Sequence, residues 1–127
     1  MATGPRTHAL ALILTLGSAG CGSGVVNGQR SVVPGGDPAR GAEVIRAREC
    51  GTCHVIPGIR GAEGHVAAPL TQMGRRTYIA GFLMNEPDAM VRWIRDPQTL
   101  DPATAMPDLG LSEQQARDAA AYLYTLR

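Results

Sequence analysis

Lysine is absent from this chain, whose twelve basic residues are all arginine. Eleven acidic residues oppose them, for a formal net charge of +1. That balance excludes the strongly basic surface with which a protein grips nucleic acid, so no nucleic-acid partner is expected. The arginine-only usage reads as a mark of genome composition and not of binding. Aromatic residues are also scarce: Tyr78, Phe82, Trp93, Tyr122 and Tyr124 are all there are, against 16 glycines and 9 prolines in 127 residues. A domain of this size with so few large apolar side chains has a thin core, and something besides side chains is expected to fill its middle. Long hydrophobic runs are missing too. The stretch from Ala9 to Leu16 falls well short of the roughly 20 residues that cross a bilayer as a helix. Cysteine occurs three times, and two of the three stand only three positions apart, in Cys50-Gly51-Thr52-Cys53-His54.

The amino-terminal residues read as a leader. Arg6 is followed by the apolar run and then by Ser18-Ala19-Gly20-Cys21, the order of a secretory signal. Small residues directly before a cysteine resemble a bacterial lipobox, in which Cys21 is acylated and becomes the new amino terminus; a lipobox prefers leucine where Ser18 stands. The alternative is ordinary cleavage within the small residues, leaving Cys21 as a plain thiol. Residues 1–21 are therefore read as a signal peptide of lipoprotein type and residues 22–36, rich in glycine and without helical period, as a flexible linker. Residues 37–127 remain for a folded domain.

Within that domain, Asp37-Pro38 opens a helix as N-cap and first-turn proline. Residues 54–76 are irregular, broken by glycine and proline. Residues 77–84 read as a short helix, residues 86–96 as a helix stopped at Pro97, and residues 98–110 as a proline-punctuated loop. Ser112 caps a last helix with Ala116, Ala119, Ala120, Leu123 and Leu126 on one stripe. There is no internal repeat and no convincing strand. The expected class is all-α, about four helices with long loops, and loops of that length in a small domain are usually functional or held by something else.

Several chemistries compete for Cys50, Cys53 and His54. A dithiol redox motif needs a βαβ setting that is missing here. A structural disulfide between residues three apart closes almost no loop and adds little stability. Zinc would need His65 as its fourth ligand, with adjacent Cys53 and His54 straining a tetrahedron. Covalent haem attachment fits best: the thiols add to the two porphyrin vinyl groups, and His54 falls beneath the iron as a ligand. A macrocycle would also supply the missing apolar body. For the sixth ligand the candidates are Met73, Met84, Met90, Met106 and His65. Met84 and Met90 suit core filling, whereas Met73 and His65 lie in the loop that must first turn around the haem edge. Met106 sits in a non-helical loop stiffened by Pro102 and Pro107, suited to laying a thioether over the far face, and is the expected ligand. A histidine/methionine pair describes an electron carrier.

These residues resemble those of class I, mitochondrial-type monohaem cytochromes c. The shared pattern runs from about Asp37 to Arg127: CxxCH, Pro69-Leu70, the block Trp93-Ile94-Arg95-Asp96-Pro97, then Met106-Pro107 and a carboxy-terminal helix carrying Ala120-Ala121-Tyr122-Leu123. Bacterial cytochrome c domains associated with terminal oxidases are especially similar. The resemblance implies that the Pro69 carbonyl accepts a hydrogen bond from the His54 ring, that Trp93 lies near the methionine sulfur and a propionate, and that the Thr104 hydroxyl meets a propionate. It implies too that Gly41 and Tyr122 mark a close crossing of the first and last helices. Ile45 and Ala68 depart from the family pattern, which has an aromatic residue and a glycine there. Arg75, Arg76, Arg92 and Arg95 are expected to be solvated charge, with propionate pairing or a docking face as the alternative.

The expected function is one-electron transfer in a bacterial respiratory chain, from a bc1 complex or periplasmic dehydrogenase to a terminal oxidase, by an exported protein lipid-anchored on the periplasmic side of the inner membrane or, without the anchor, periplasmic. Rival readings are the electron-accepting subunit of a periplasmic dehydrogenase complex, a sensor or peroxidase-like haem protein with a labile sixth site, and a zinc module.

Overall fold

The structure, a computed structural model, describes residues 33–127 together with Met1 and Gly4. Most of the expected leader, Cys21 included, and most of the expected linker lie outside the described residues. Four α-helices carry the domain: α1 (Pro38–Ala47), α2 (Pro87–Arg95), α3 (Pro97–Leu100) and α4 (Glu113–Thr125). Two one-turn 3₁₀ helices, Cys50–Thr52 and Met73–Arg75, punctuate the loops, and two short strands, β1 (Tyr78–Ile79) and β2 (Leu83–Met84), pair antiparallel.

The helix starts follow from side-chain chemistry. Asp37 accepts from the N–H groups of Ala39 and Arg40 at 2.8 and 3.0 Å, satisfying two donors that an α-helix leaves orphaned, and Pro38 needs none. At α4 the cap is reciprocal: Ser112 Oγ accepts from Gln115 N at 3.2 Å while Gln115 Oε1 accepts from Ser112 N at 3.0 Å.

The framework of the domain is the packing of α1 on α4. Both helices present small residues, so their backbones come very close: Ala116, Ala119 and Ala120 are buried on α4 and Gly41 on α1. A methyl group at position 41 would collide with the Asp118 carbonyl oxygen and lie 2.9 Å from Tyr122 Cβ. The crossing of Gly41 with Tyr122 is thus where the resemblance puts it. Beside it Asp118, 3% exposed, accepts from Arg40 Nε and Nη2 (both 2.9 Å), Asp37 N (2.8 Å) and Gln114 Nε2 (2.9 Å). Burial alone would push this carboxyl up. The hydrogen bonds from Arg40, Asp37 and Gln114 and the charge of Arg40 outweigh it, and Asp118 titrates below the usual aspartate range.

A group depressed in the folded state stabilises the fold fully above its unfolded value, near 4, and loses that contribution as pH falls through the lower folded value. Thermal melts between about pH 5 and pH 2 should therefore show part of the acid-side loss of stability disappearing in Asp118→Asn. Parallel acid limbs in the two proteins would show that Asp118 carries none of it.

Three expectations are corrected here. Residues 77–84 form a hairpin and not a helix. Phe82 N returns to Ile79 O at 3.2 Å, and both residues inside that turn have positive φ, Ala80 at 52° and Gly81 at 82°, the geometry of a tight hairpin turn. The loop after Pro97 begins with the short helix α3, because the Asp96 side chain caps it by accepting from Thr99 N at 3.2 Å. The folded body starts at Val33 and not at Asp37: Val33 is 1% exposed, and residues 33–36 turn back onto α4. There Gln114 Nε2 donates to Gly35 O at 2.8 Å and Arg117 Nη1 to Pro34 O at 3.4 Å.

Ile45, Ile56, Ile79 and Met90 fill the centre with Val33. A polar knot joins α4 to the loop and hairpin. Tyr124 Oη donates to Asn85 Oδ1 at 2.8 Å, and Asn85 Nδ2 reaches the carbonyls of Met73 and Arg76, each at 2.8 Å. Burial, aided by the charge of Glu86, pushes the Tyr124 phenol up to about 12, so this donor keeps its proton at neutral pH.

Candidate haem-attachment site

The Cys50–Thr52 turn leaves α1 through Glu49, whose φ of 54° bends the chain sharply. Cys53 N and His54 N both donate to the Cys50 carbonyl, at 3.3 and 3.1 Å. One acceptor therefore gathers the second thiol and the imidazole onto the turn that carries the first thiol. Both thiols are unpaired and half-buried. Burial pushes the Cys50 thiol up. The turn is braced from beyond the motif: Gly64 N donates to Gly51 O at 3.0 Å and Ala67 N to Cys53 O at 2.9 Å. A side chain at Gly64 would collide with the Thr52 carbonyl. Tyr122 Oη donates to Pro57 O at 2.7 Å, which ties the segment after His54 to the α1–α4 crossing.

The imidazole is oriented by a backbone carbonyl. His54 Nδ1 lies 2.7 Å from Ala68 O. A carbonyl can only accept, so Nδ1 carries the proton and Nε2 keeps its lone pair for a metal, the arrangement in which a second partner also raises the basicity of a ligand. The acceptor differs from the Pro69 carbonyl that the resemblance implies. Pro69 O accepts instead from Arg76 Nη2 at 2.6 Å, and the same nitrogen reaches Thr71 O at 3.0 Å. Arg76 is correspondingly not simple solvated charge, since it clamps the carbonyls just beyond Ala68. Nothing in its spacing signals this role, nor that of Asn85.

The methionines separate by burial. Met73 and Met90 belong to the core, Met84 is 52% exposed and so fills nothing, and Met106 is half-buried on the loop between α3 and α4. His65 is exposed. The Met106 peptide is engaged at both ends: its N–H donates to Thr104 Oγ1 at 3.2 Å, and its carbonyl accepts from Gln98 Nε2 at 2.6 Å. Thr104 thereby acts first on the backbone, and its own O–H remains to serve an anionic acceptor. Trp93, half-buried on α2, meets Phe82 edge to face with ring centroids 6.0 Å apart.

The residues fit a haem. Among the described residues no three histidine, cysteine, aspartate or glutamate side chains gather as a metal site, so the zinc set of Cys50, Cys53, His54 and His65 does not assemble. Two thiols and an imidazole engaged through Nδ1 by a carbonyl, with Nε2 as the ligating nitrogen, are the donors that covalent haem attachment needs. Large apolar side chains at Val66, Tyr78, Phe82 and Met84 stand exposed, surface of the kind a macrocycle covers. Cys50 and Cys53 would hold the porphyrin and His54 its iron.

Comparison with known proteins points the same way. The family model for cytochrome c matches residues 38–127. Cytochrome c oxidase subunit 2 of Alkalihalophilus pseudofirmus is 36% identical over 90 residues, covering 69% of this chain and 25% of the relative. Its counterpart from Bacillus sp. (strain PS3) is 31% identical over 106 residues, 80% of this chain and 29% of the relative. That of Bacillus subtilis is 31% identical over 83 residues, 61% and 23%. The chain thus spans between a quarter and a third of the first two relatives and slightly less of the third. With a haem-attachment turn and a helical fold that both match, the chain belongs to the cytochrome c family, electron-transfer proteins with covalently bound haem.

Proposed function

We propose that this protein is a one-electron carrier with a single haem, attached through Cys50 and Cys53 and ligated by His54 and Met106, that delivers electrons to a terminal oxidase. Haem iron supplies the one-electron couple when bound, and a histidine/methionine pair raises its potential. The protein residues do the rest. Ala68 keeps the proton on His54 Nδ1, the Cys50 carbonyl gathers the attachment turn, and Gln98 with Thr104 brackets the Met106 peptide.

The observation that carries the reading is the His54 ring, fixed through Nδ1 at the end of a two-thiol turn. The relatives named as oxidase subunits support an oxidase as the electron acceptor. A bc1 complex or a periplasmic dehydrogenase is the proposed donor. The same relatives favour a second reading, in which the chain is a resident subunit of an oxidoreductase complex; stable co-purification with a larger catalytic chain would distinguish it. The leader-like residues 1–21 support, as part of this proposal, a location on the periplasmic side of the membrane with an anchor at Cys21.

The test uses the haem-loaded full chain. Met106→Ala should abolish the sulfur-to-iron charge-transfer band at the red end of the ferric spectrum and open the iron to carbon monoxide in the reduced state. Reduced wild-type protein mixed with oxidase-containing membranes should be reoxidised in an oxygen-dependent, cyanide-sensitive way, and the chain should sediment with the membranes of its own cells. A surviving band rules out Met106 as ligand, and failure to be reoxidised rules out the oxidase.

A further inference from the structure

The chain between α3 and α4 is irregular, so its shape depends on side chains that reach into it from outside. Among the described residues two donate to its carbonyls from fixed positions. Arg48, two residues before Cys50, donates through Nη1 to Leu109 O at 3.1 Å. Gln98, on α3, donates through Nε2 to Met106 O at 2.6 Å. The Met106 N–H is held as well, by Thr104 Oγ1, but Thr104 belongs to the same loop and would move with it. Gln98 would not. Its helix is capped by Asp96, whose carboxylate accepts from Thr99 N at 3.2 Å and Thr99 Oγ1 at 2.6 Å. Pro97 is buried beneath it, and Asp101 N closes the turn on Pro97 O at 2.9 Å.

We propose that Gln98 is the positioning residue for Met106: its amide fixes the Met106 carbonyl and, through it, the place of the thioether. The proposal rests on the reading of Met106 as the sixth ligand. Gln98 does not touch the iron. It acts by depopulating loop conformations in which the methionine has swung away, and an outside ligand that binds only those conformations is weakened by the fraction in which they occur.

The experiment is imidazole binding to the oxidised, haem-loaded full chain at pH 7, since imidazole takes the sixth position only when the methionine has left. Gln98→Glu keeps the length and shape of the side chain and removes the donor; Gln98→Ala removes both. Each should bind imidazole about tenfold more tightly than wild type, the equivalent of roughly 1.4 kcal/mol, within reach of one neutral hydrogen bond. An effect in Gln98→Ala alone would mean that the side chain merely packs, and unchanged affinity in both variants would mean that it does nothing to the loop; either result overturns the proposal. Met106→Ala separates this from the reading beneath it. If its charge-transfer band survives, the ligand lies elsewhere. If the band is lost there while both Gln98 variants bind imidazole like wild type, only the role of Gln98 fails.

Discussion

Gly41→Ala is expected to destabilise the domain by about 4 kcal/mol, a large part of the 5–15 kcal/mol that holds a typical domain together. The added methyl meets the Asp118 carbonyl oxygen and the Tyr122 Cβ. Neither is a flexible side-chain end that can swing aside. The helices would have to part, and parting them strains the Arg40–Asp118 hydrogen bonds and the Tyr122 bond to Pro57 O behind the attachment turn. For a domain of about a hundred residues a loss of this size lowers the melting temperature by roughly 20 °C. A variant melting within a few degrees of wild type would show that the two helices have slack, and the close crossing would no longer explain the glycine.

The second large effect concerns attachment. Cys50→Ala/Cys53→Ala should yield protein from which all haem is lost on denaturing electrophoresis, while each single variant keeps haem through one remaining thioether. The attachment turn motivates this, because Cys53 N and His54 N share the Cys50 carbonyl and so stand on one short turn with the first thiol. Covalent links keep the cofactor at a high effective concentration, and a domain with so thin a side-chain core depends on that central body more than most. Haem staining of the double variant at wild-type intensity after denaturation would refute attachment through these cysteines.

What could be read from the residues alone was local chemistry. Asp37-Pro38 and Ser112 announced their helices because a cap needs only the residue and its next three neighbours. Cys50, Cys53 and His54 announced themselves because the spacing is itself the chemistry. Contacts between distant segments could not be read in this way. The hairpin at residues 78–84 hinges on Ala80 at positive φ, a conformation that alanine does not advertise. Ala68 stands in place of Pro69 as the partner of His54, while Arg76 donates to the Pro69 carbonyl, and neither pairing is encoded in local spacing. Asn85 looks like any polar loop residue until its amide is seen between Met73, Arg76 and Tyr124. Val33 reads as linker until α4 is folded beneath it.

The turn at residues 33–36 also decides how mechanical load enters the molecule. A pull arriving along the polypeptide from upstream is taken up first where Gly35 and Pro34 are stitched to Gln114 and Arg117, then by the Asp37 and Arg40 bonds to Asp118. Tension is shunted into the last helix before it can reach the Cys50–His54 turn. A domain swinging on a leash, or joined at that end to a larger neighbour, would take the tug on α4 and not on the Cys50–His54 turn.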